Sequence, residues 1–349
     1  MSELKVSIIG GSGYSGGELL RILLQHPRVR LHRVTSRRYA GFPVALAHPN
    51  LRAITSLKFS ALEDLSPCDF LFIALPNGES MDHMSEWMAL TGRLIDLGAD
   101  FRLEDQDSWE HWYGTKHRSP ENIPRFVYGI PELFKERIRS ARCVSGPGCE
   151  AIVSILSLYP FLRHGLVKKD RIIIDAKMGS SQAGRRPSPA GHHPERAGVT
   201  RSYKPAGHRH TAEIEQVMNA IAPGVRVDIS ATAIEMVRGI LVTIHTQLDK
   251  EAEEKDLWKM LRTEYSAQPF IRIVKEKRGL YRYPEPKILQ GTNYCDIGFE
   301  KDDRSGRLVI LGAVDNLVKG TAGNAVQCMN LMCGFPESQG LEFPGLHPV

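Results

Sequence analysis

The feature that most constrains this chain is a glycine turn set between two strand-like runs close to its start. Residues 5–11 (KVSIIGG) form a β-branched run ending in glycine, and residues 15–25 carry Leu19, Leu20, Ile22, Leu23 and Leu24 at helical spacing. Residues 29–35 (VRLHRVT) then read as a second strand. Strand, helix and strand in this order make a βαβ unit, and parallel strands of this kind belong to a sheet covered by helices on both faces. The turn itself reads Gly11-Ser12-Gly13-Tyr14-Ser15-Gly16, a G-x-G-x-x-G that follows a strand and opens a helix. Glycines there let the backbone turn tightly and approach a pyrophosphate, whose charge meets the amides and positive dipole end of the helix. A dinucleotide site is the expectation; the plain alternative is a structural glycine turn.

About twenty residues beyond Gly16, where an NAD enzyme presents an acid to the ribose 2′-hydroxyl, the chain reads Thr35-Ser36-Arg37-Arg38. A serine hydroxyl and two planar guanidinium groups suit a 2′-phosphate, so the expected cofactor is NADP(H). Buried-strand candidates follow at 68–76 (CDFLFIALP) and 93–101 (RLIDLGADF), with a helical segment at 79–90 between them. Residues 1–148 therefore read as a doubly wound α/β domain of Rossmann type.

The pattern then changes. A helix at 149–163 leads to a strand at 171–178, and 179–210 is rich in Gly, Pro, Arg and His. Segments 226–233, 237–246, 270–275 and 307–314 read as strands of a mixed or antiparallel sheet, with helices near 211–221 and 252–265. Residues 149–319 are expected to form an α+β catalytic domain, with the helix at 320–335 and the tail to 349 returning to the first domain. The length of 349 residues and a hydrophobic fraction of 42% suit two packed domains. No apolar run approaches the ~18 residues that span a bilayer, and the start lacks the pattern of a secretory leader. A cytoplasmic protein with no membrane association is expected. Six cysteines without a CxxC pair suggest neither a disulfide framework nor a zinc site.

One cysteine stands out. Cys149 follows the turn Gly146-Pro147-Gly148 and begins a long apolar helix, where the dipole and free amides favour a thiolate and offer donors to a developing oxyanion. A cysteine at a helix start is otherwise a small buried hydrophobe. The segment Gly207-His208-Arg209-His210-Thr211-Ala212-Glu213 supplies candidate partners: two imidazoles for proton transfer, Arg209 as an anion clamp, and Glu213 about one helical turn from His210 to orient it. The alternatives are a surface His-x-His or adventitious metal ligands. No dedicated metal site is expected, because His192 and His193 have no thiolate or carboxylate at ligand spacing.

Five motifs in order, GGSGYSGGEL (10–19), TSRR (35–38), GPGC (146–149), GHRHTAE (207–213) and DNLVKGTAGNA (315–325), resemble the N-acetyl-gamma-glutamyl-phosphate reductases and their relatives in the semialdehyde dehydrogenase superfamily. HPNLR (48–52), SPAGHHPERAG (188–198), YPEPKILQGTNYCDIGF (283–299) and GLEFPGLHP (340–348) resemble the LysY branch still more closely. The resemblance implies Cys149 as nucleophile and His210 as acid/base, with His208 second. It places the pyrophosphate on Ser12 to Ser15, the 2′-phosphate on Ser36 to Arg38 and the nicotinamide region at Asn316. It also implies a substrate acyl phosphate on the small acidic amino-group carrier LysW, release of inorganic phosphate, and a dimer or tetramer. The residue after the nucleophile departs from the family: Glu150 stands where Tyr or Asn is usual, and a carboxylate turned toward Cys149 would oppose its ionisation.

The stretch 179–210 gives the carrier an independent motive. It holds Arg185, Arg186, Arg196, Arg201, Lys204 and Arg209 against a single acid, Glu195, so it would steer an acidic partner, or bind phosphate alone. Nucleic acid is a poorer fit, because no reader motif is present. Two rival readings are a reductase of the free N-acetylated acyl phosphate and a non-catalytic NADP-sensing protein.

Overall fold

The computed structural model describes residues 3–170 and 172–349, so the first residue of the strand expected at 171–178 lies outside the described residues. The chain divides into two compact units: residues up to Pro147 with Thr321–Glu342, and Gly148–Gly320 with Phe343–Val349. The chain therefore passes between units at Pro147–Gly148, at Gly320–Thr321 and at Glu342–Phe343. All of 320–349 was expected with the first domain, but its last seven residues group with the second unit, where the Phe343 ring lies against Gly291 and Gly345 against Thr292 and Ile288.

The first unit is built on β1 (Leu4–Ile9), β2 (Val29–Val34), β3 (Cys68–Ile73), β4 (Thr91–Asp96), β5 (Phe126–Tyr128) and β6 (Cys143–Ser145). They pair in the order β2-β1-β3-β4-β6-β5, with every pairing parallel. From Phe70 to Ile73 β3 reads as an unbroken apolar run because both its faces are covered: Phe70, Leu71, Phe72 and Ile73 are fully buried, and only Asp69 near its start is exposed. The reversal of strand order between β1 and β3 opens the crevice at the carboxyl ends of these strands, where open α/β sheets bind ligands. The helix Gly323–Met332 closes this unit, with the Asn324 amide donating to the Gly129 carbonyl at 2.6 Å and Gln327 to Glu132 at 3.0 Å.

The second unit carries β7 (Ile172–Met178), β8 (Thr200–Lys204), β9 (Val227–Ile234), β10 (Ile240–Gln247), β11 (Ile271–Ile273), β12 (Cys295–Asp302) and β13 (Arg307–Val314), in the order β11-β12-β13-β10-β7-β9-β8. β11/β12 and β7/β9 are parallel and the rest antiparallel, so the sheet is mixed as the pattern predicts. The helix Cys149–Arg163 lies against it so closely that a Cβ at Gly312 of β13 would meet the Ser157 hydroxyl at 2.1 Å. That helix is buried on all sides from Glu150 to Leu162, which explains why it is apolar all round apart from Glu150, Ser154 and Ser157.

Several boundaries differ from expectation for local reasons. The strand expected at 93–101 ends at Asp96, because the chain turns at Gly98, whose amide donates to the Asp96 carboxylate at 2.9 Å. The helix expected at 79–90 is regular only over Met84–Ala89, and the strand expected from 237 starts at Ile240, after Gly239 with φ +120°. β5, β8 and β12 are not anticipated from the sequence, β5 being only three residues long. β8 is a fully exposed edge strand and has no buried face to show as alternation, while the Gly298 and Asp302 of β12 blur its apolar run.

Candidate active site

In the first unit the glycine turn is shaped by contact as much as by torsion. A Cβ at Gly11 would meet Val34 Cγ1 at 2.2 Å, and one at Gly16 would meet the Gly10 carbonyl at 2.6 Å and Gly11 Cα at 2.7 Å, so both are needed to pack helix against strand. Gly13 is different: nothing but the Gly10 carbonyl, at 3.8 Å, lies near its absent side chain. It is the N-cap of the helix Tyr14–Leu23 and no side chain caps that terminus. The geometry fits the phosphates of a dinucleotide, with Ser12 and Ser15 half-buried beside the turn and Tyr14 exposed. At the end of β2, the Ser36 hydroxyl donates to Ser12 Oγ at 2.8 Å and accepts from the Tyr39 amide at 3.2 Å. Arg37 and Arg38 are exposed; Arg38 lies over the Tyr39 ring at 5.3 Å, and Arg37 meets Glu79 at 3.0 Å.

The second unit holds the candidate catalytic group. Cys149 opens its helix with Gly148 as N-cap and no side-chain cap, and it is half-buried, whereas Glu150 behind it is fully buried. The Glu150 carboxylate faces the thiol: Sγ–H donates to Oε2 at 3.3 Å, and His210 Nδ1 lies 2.7 Å from the same oxygen. His208 Nε2 is 3.6 Å from the other oxygen, and the Tyr203 hydroxyl 3.5 Å. On its far side, His210 Nε2 lies 3.7 Å from Glu213 Oε1, while Glu213 Oε2 accepts from the Gly148 amide at 2.8 Å. A closed circuit thus runs from Cys149 through Glu150, His210 and Glu213 to the residue before the nucleophile.

The charges of this cluster are set by one another. Burial opposes the ionised form of Glu150, but the His210 imidazole, and after it His208 and a hydrogen bond from Gln182, outweigh burial and hold the carboxyl well below the ordinary carboxylate range. Burial, then His210, pushes His208 down to about 4, so it is a neutral ring near neutral pH, with Nδ1 accepting from the His210 amide at 3.3 Å. Desolvation of its hydroxyl, reinforced by Glu150 and Cys149, pushes Tyr203 up, so it remains a neutral hydroxyl although the residue as a whole is exposed. Glu150, His208 and His210 present donor atoms within 4.8 Å of one another, close enough for a cation, yet each already engages another member of the cluster.

The structure therefore brings Cys149, His208, His210 and Glu213 together as the sequence suggested, and adds Glu150 as their hub. Arg209, between the two histidines, is exposed, as are Arg185 and Arg186. Asn316 is buried, its amide donating to Ser181 Oγ at 3.0 Å and its carbonyl accepting from the Gly239 amide at 2.8 Å. Sequence reasoning missed Gly320, where a Cβ would come within 2.9 Å of Cys149 Cβ, and Arg102 of the first unit, which braces the Gly146 carbonyl at 2.8 Å. Tyr203 carried no signal, since it sits in an exposed strand.

A parallel six-stranded nucleotide-binding sheet followed by a mixed sheet with a cysteine at a buried helix start defines the two-domain semialdehyde dehydrogenase class. The profile described as "Semialdehyde dehydrogenase, NAD binding domain" matches residues 5–141, and "Semialdehyde dehydrogenase, dimerisation domain" matches residues 149–316. The fold is that of aspartate semialdehyde dehydrogenase II from Vibrio cholerae, with a TM-score of 0.73 over 96% of this chain and 99% of that one, at 15% identity. Much nearer in sequence are the LysW-L-2-aminoadipate 6-phosphate reductase of Deinococcus radiodurans, 47% identical over 99% of this chain and 98% of the relative, and the LysW-L-2-aminoadipate/LysW-L-glutamate phosphate reductase of Saccharolobus solfataricus, 42% identical over 99% of each. The chain belongs to this phosphate reductase family of semialdehyde dehydrogenases. It is an oxidoreductase that uses a nicotinamide cofactor. No helix among the described residues is long and apolar enough to cross a membrane.

Proposed function

We propose that this protein reduces the acyl phosphate of aminoadipate or glutamate, held on a LysW-type carrier protein, to the semialdehyde with NADPH as reductant, in lysine or ornithine synthesis. The observation that carries the reading is the array of half-buried Cys149 with buried Glu150, His210 and Glu213, set at a helix N-terminus in a chain 47% identical to a named LysW-aminoadipate phosphate reductase. Cys149 sulfur bonds to the acyl carbon as the carbon–oxygen bond to phosphate breaks, phosphate leaving with the electron pair. The thiol proton passes to the Glu150–His210 pair, whose oxygen and nitrogen lie on the path from sulfur. The resulting thioester is a better hydride acceptor than an ordinary ester or carboxylate, which is why the site needs a cysteine. NADPH, when held by Ser12 to Ser15 and Ser36 to Arg38, supplies the hydride. His210 returns the proton to sulfur as the adduct collapses to the aldehyde.

The basic stretch supports a carrier rather than a small substrate. Of its cations, Arg196 is half-buried and donates to the Ile234 carbonyl at 2.6 Å, and Arg201 donates to the Glu195 carbonyl at 3.0 Å. Arg185 and Arg186 stay exposed beside an open groove of about 550 Å³ lined by Pro187, Ser188, Pro189, Ala190, His192, Glu195 and Arg201. An acidic carrier presenting its modified end would be drawn to such a surface. The test is phosphate-dependent reduction of NADP by the purified protein, with the semialdehyde either carrier-linked or free as the N-acetylated compound. Activity on the carrier form alone is expected; equal activity on the free compound overturns the carrier reading.

A further inference from the structure

The acid that an NAD-binding sheet carries at the end of β2 is missing here, yet an acid reaches the same place from another loop. Glu79, after β3, sets its carboxylate 3.0 Å from the Arg37 guanidinium. An exposed ion pair on a mobile loop would mean little, but this loop is fixed. On one side of Glu79 the Gly78 amide donates to Asp100 Oδ1 at 2.6 Å, and on the other the Ser80 amide donates to Asp100 Oδ2 at 3.2 Å. Asp100 is fully buried, Asn77 accepts from the Ala99 amide at 3.2 Å, and the Glu79 amide donates to the Pro76 carbonyl at 3.2 Å. Gly78 adopts φ +85°, which suits this turn to glycine. Glu79 is only 25% exposed on its side chain, whereas its partner Arg37 is 67% exposed.

We propose that Glu79 is a specificity-determining residue that competes with the cofactor 2′-phosphate for Arg37, holds NADPH affinity below what Ser36, Arg37 and Arg38 could provide, and lets the site take a dinucleotide that lacks the phosphate. This rests on the reading of 36–38 as the 2′-phosphate site. The chemistry is one-sided. A dianionic phosphate arriving at Arg37 must displace the carboxylate and then sit beside it, whereas a ribose 2′-hydroxyl can donate to a carboxylate. Glu79 thus supplies from β3 the acceptor that β2 lacks.

The experiment is a binding titration of NADPH and NADH, followed by cofactor fluorescence, for the wild type, Glu79→Gln and Arg37→Ala at low and at physiological salt. Glu79→Gln removes the charge and keeps the shape. The NADPH Kd is expected to fall about threefold to tenfold, with the gain shrinking as salt rises, because Arg37 is open to solvent. The NADH Kd is expected to stay unchanged or rise. An unchanged or higher NADPH Kd in Glu79→Gln, or an equal tightening of both cofactors, overturns the proposal. Arg37→Ala separates the two failures: if it leaves NADPH binding intact, the 2′-phosphate reading itself falls and the proposal with it. If Arg37→Ala weakens NADPH while Glu79→Gln does nothing, only the role of Glu79 is lost.

Discussion

Gly148→Ala is the sharpest perturbation of the candidate site, because it adds one methyl group to a backbone that can accept it. Gly148 sits at φ −65°, ψ 144°, an extended conformation open to alanine without strain. The added Cβ would lie 2.4 Å from His210 Nε2 and 2.7 Å from both Cδ2 and Cε1 of the ring, whereas ordinary contact begins at 3.4 Å. The imidazole must therefore withdraw by about 1 Å, a displacement of the size that costs on the order of 100-fold when it moves a reacting group. That movement breaks the 2.7 Å approach of Nδ1 to Glu150 or the 3.7 Å approach of Nε2 to Glu213. We expect kcat for the carrier-linked substrate to fall roughly 100-fold, with overpacking costing about 1–3 kcal/mol of stability. Cys149 should remain open to alkylation. Steady-state kinetics alongside a thermal melt and NADPH titration make the test, since the melt reports on the second unit, which holds the substitution, and the titration on the first, which holds the dinucleotide loop. A variant that binds NADPH and keeps kcat within about threefold of wild type would show that His210 does not act from this position.

Glu150→Gln keeps the side-chain shape and removes the charge facing His210; kcat should fall by about 100-fold or more, and turnover near wild type would mean that Glu150 takes no part in proton movement. The same variant has a stability signature. Because Glu150 is held below the ordinary carboxylate range, its charge favours the folded state at neutral pH and that contribution disappears as pH falls through the lowered folded value, so the acid-side drop in Tm should be shallower in Glu150→Gln. Asp96 has the opposite sign: burial, then the neighbouring Asp100, raises it from 3.8 to about 7, so its contribution is complete below 3.8 and is lost as pH rises toward 7. Asp96→Asn, whose amide can donate to Ser80 Oγ while Ser80 donates to Asp100, should gain on wild type in Tm as pH rises from about 4 to 7 and hold that gain at pH 8; parallel Tm–pH curves would refute this. Replacing Arg185 and Arg186 by Glu should raise the KM for the carrier substrate and flatten its salt dependence, and an unchanged salt profile would remove these residues from carrier docking.

What could be read from the sequence was whatever has a short period or a local rule. The βαβ unit of 5–35 follows from side-chain spacing and glycines, and the helix beginning at Cys149 from an apolar run opened by Gly-Pro-Gly. β8 escaped because an edge strand with no buried residue carries no alternation, and the division of the tail at Glu342 because it rests on contacts distant in sequence, Phe343 on Gly291 and Gly345 on Thr292 and Ile288. The partners of Asn316 were equally hidden, since Ser181 and Gly239 lie 135 and 77 positions away along the chain. Glu79 shows the same limit from the other side: a reading that looks for an acid at a fixed distance beyond the glycines finds none, while the fold brings one to Arg37 from 42 residues downstream.

Glu150 shows why adjacency in sequence can mislead about electrostatics. Read in one dimension, a carboxylate next to Cys149 opposes the thiolate, and both anions compete for the same positive helix end. The fold changes the balance in two ways. It buries Glu150 completely, which by itself would neutralise the acid, and it sets the His210 imidazole 2.7 Å from Oε2, which restores the charge. The carboxylate is then not an isolated repulsive charge but the middle of a line of close polar contacts from sulfur to imidazole, with Glu213, 3.7 Å beyond the ring, accepting from the Gly148 amide. Within such a line, removing the acid and displacing the imidazole are the same injury seen from two ends. Gly148→Ala and Glu150→Gln should therefore combine to much less than the sum of their separate effects on the activation free energy. A double variant in which the two losses add in full would show that Glu150 and His210 act independently, and the circuit would then be packing rather than proton chemistry.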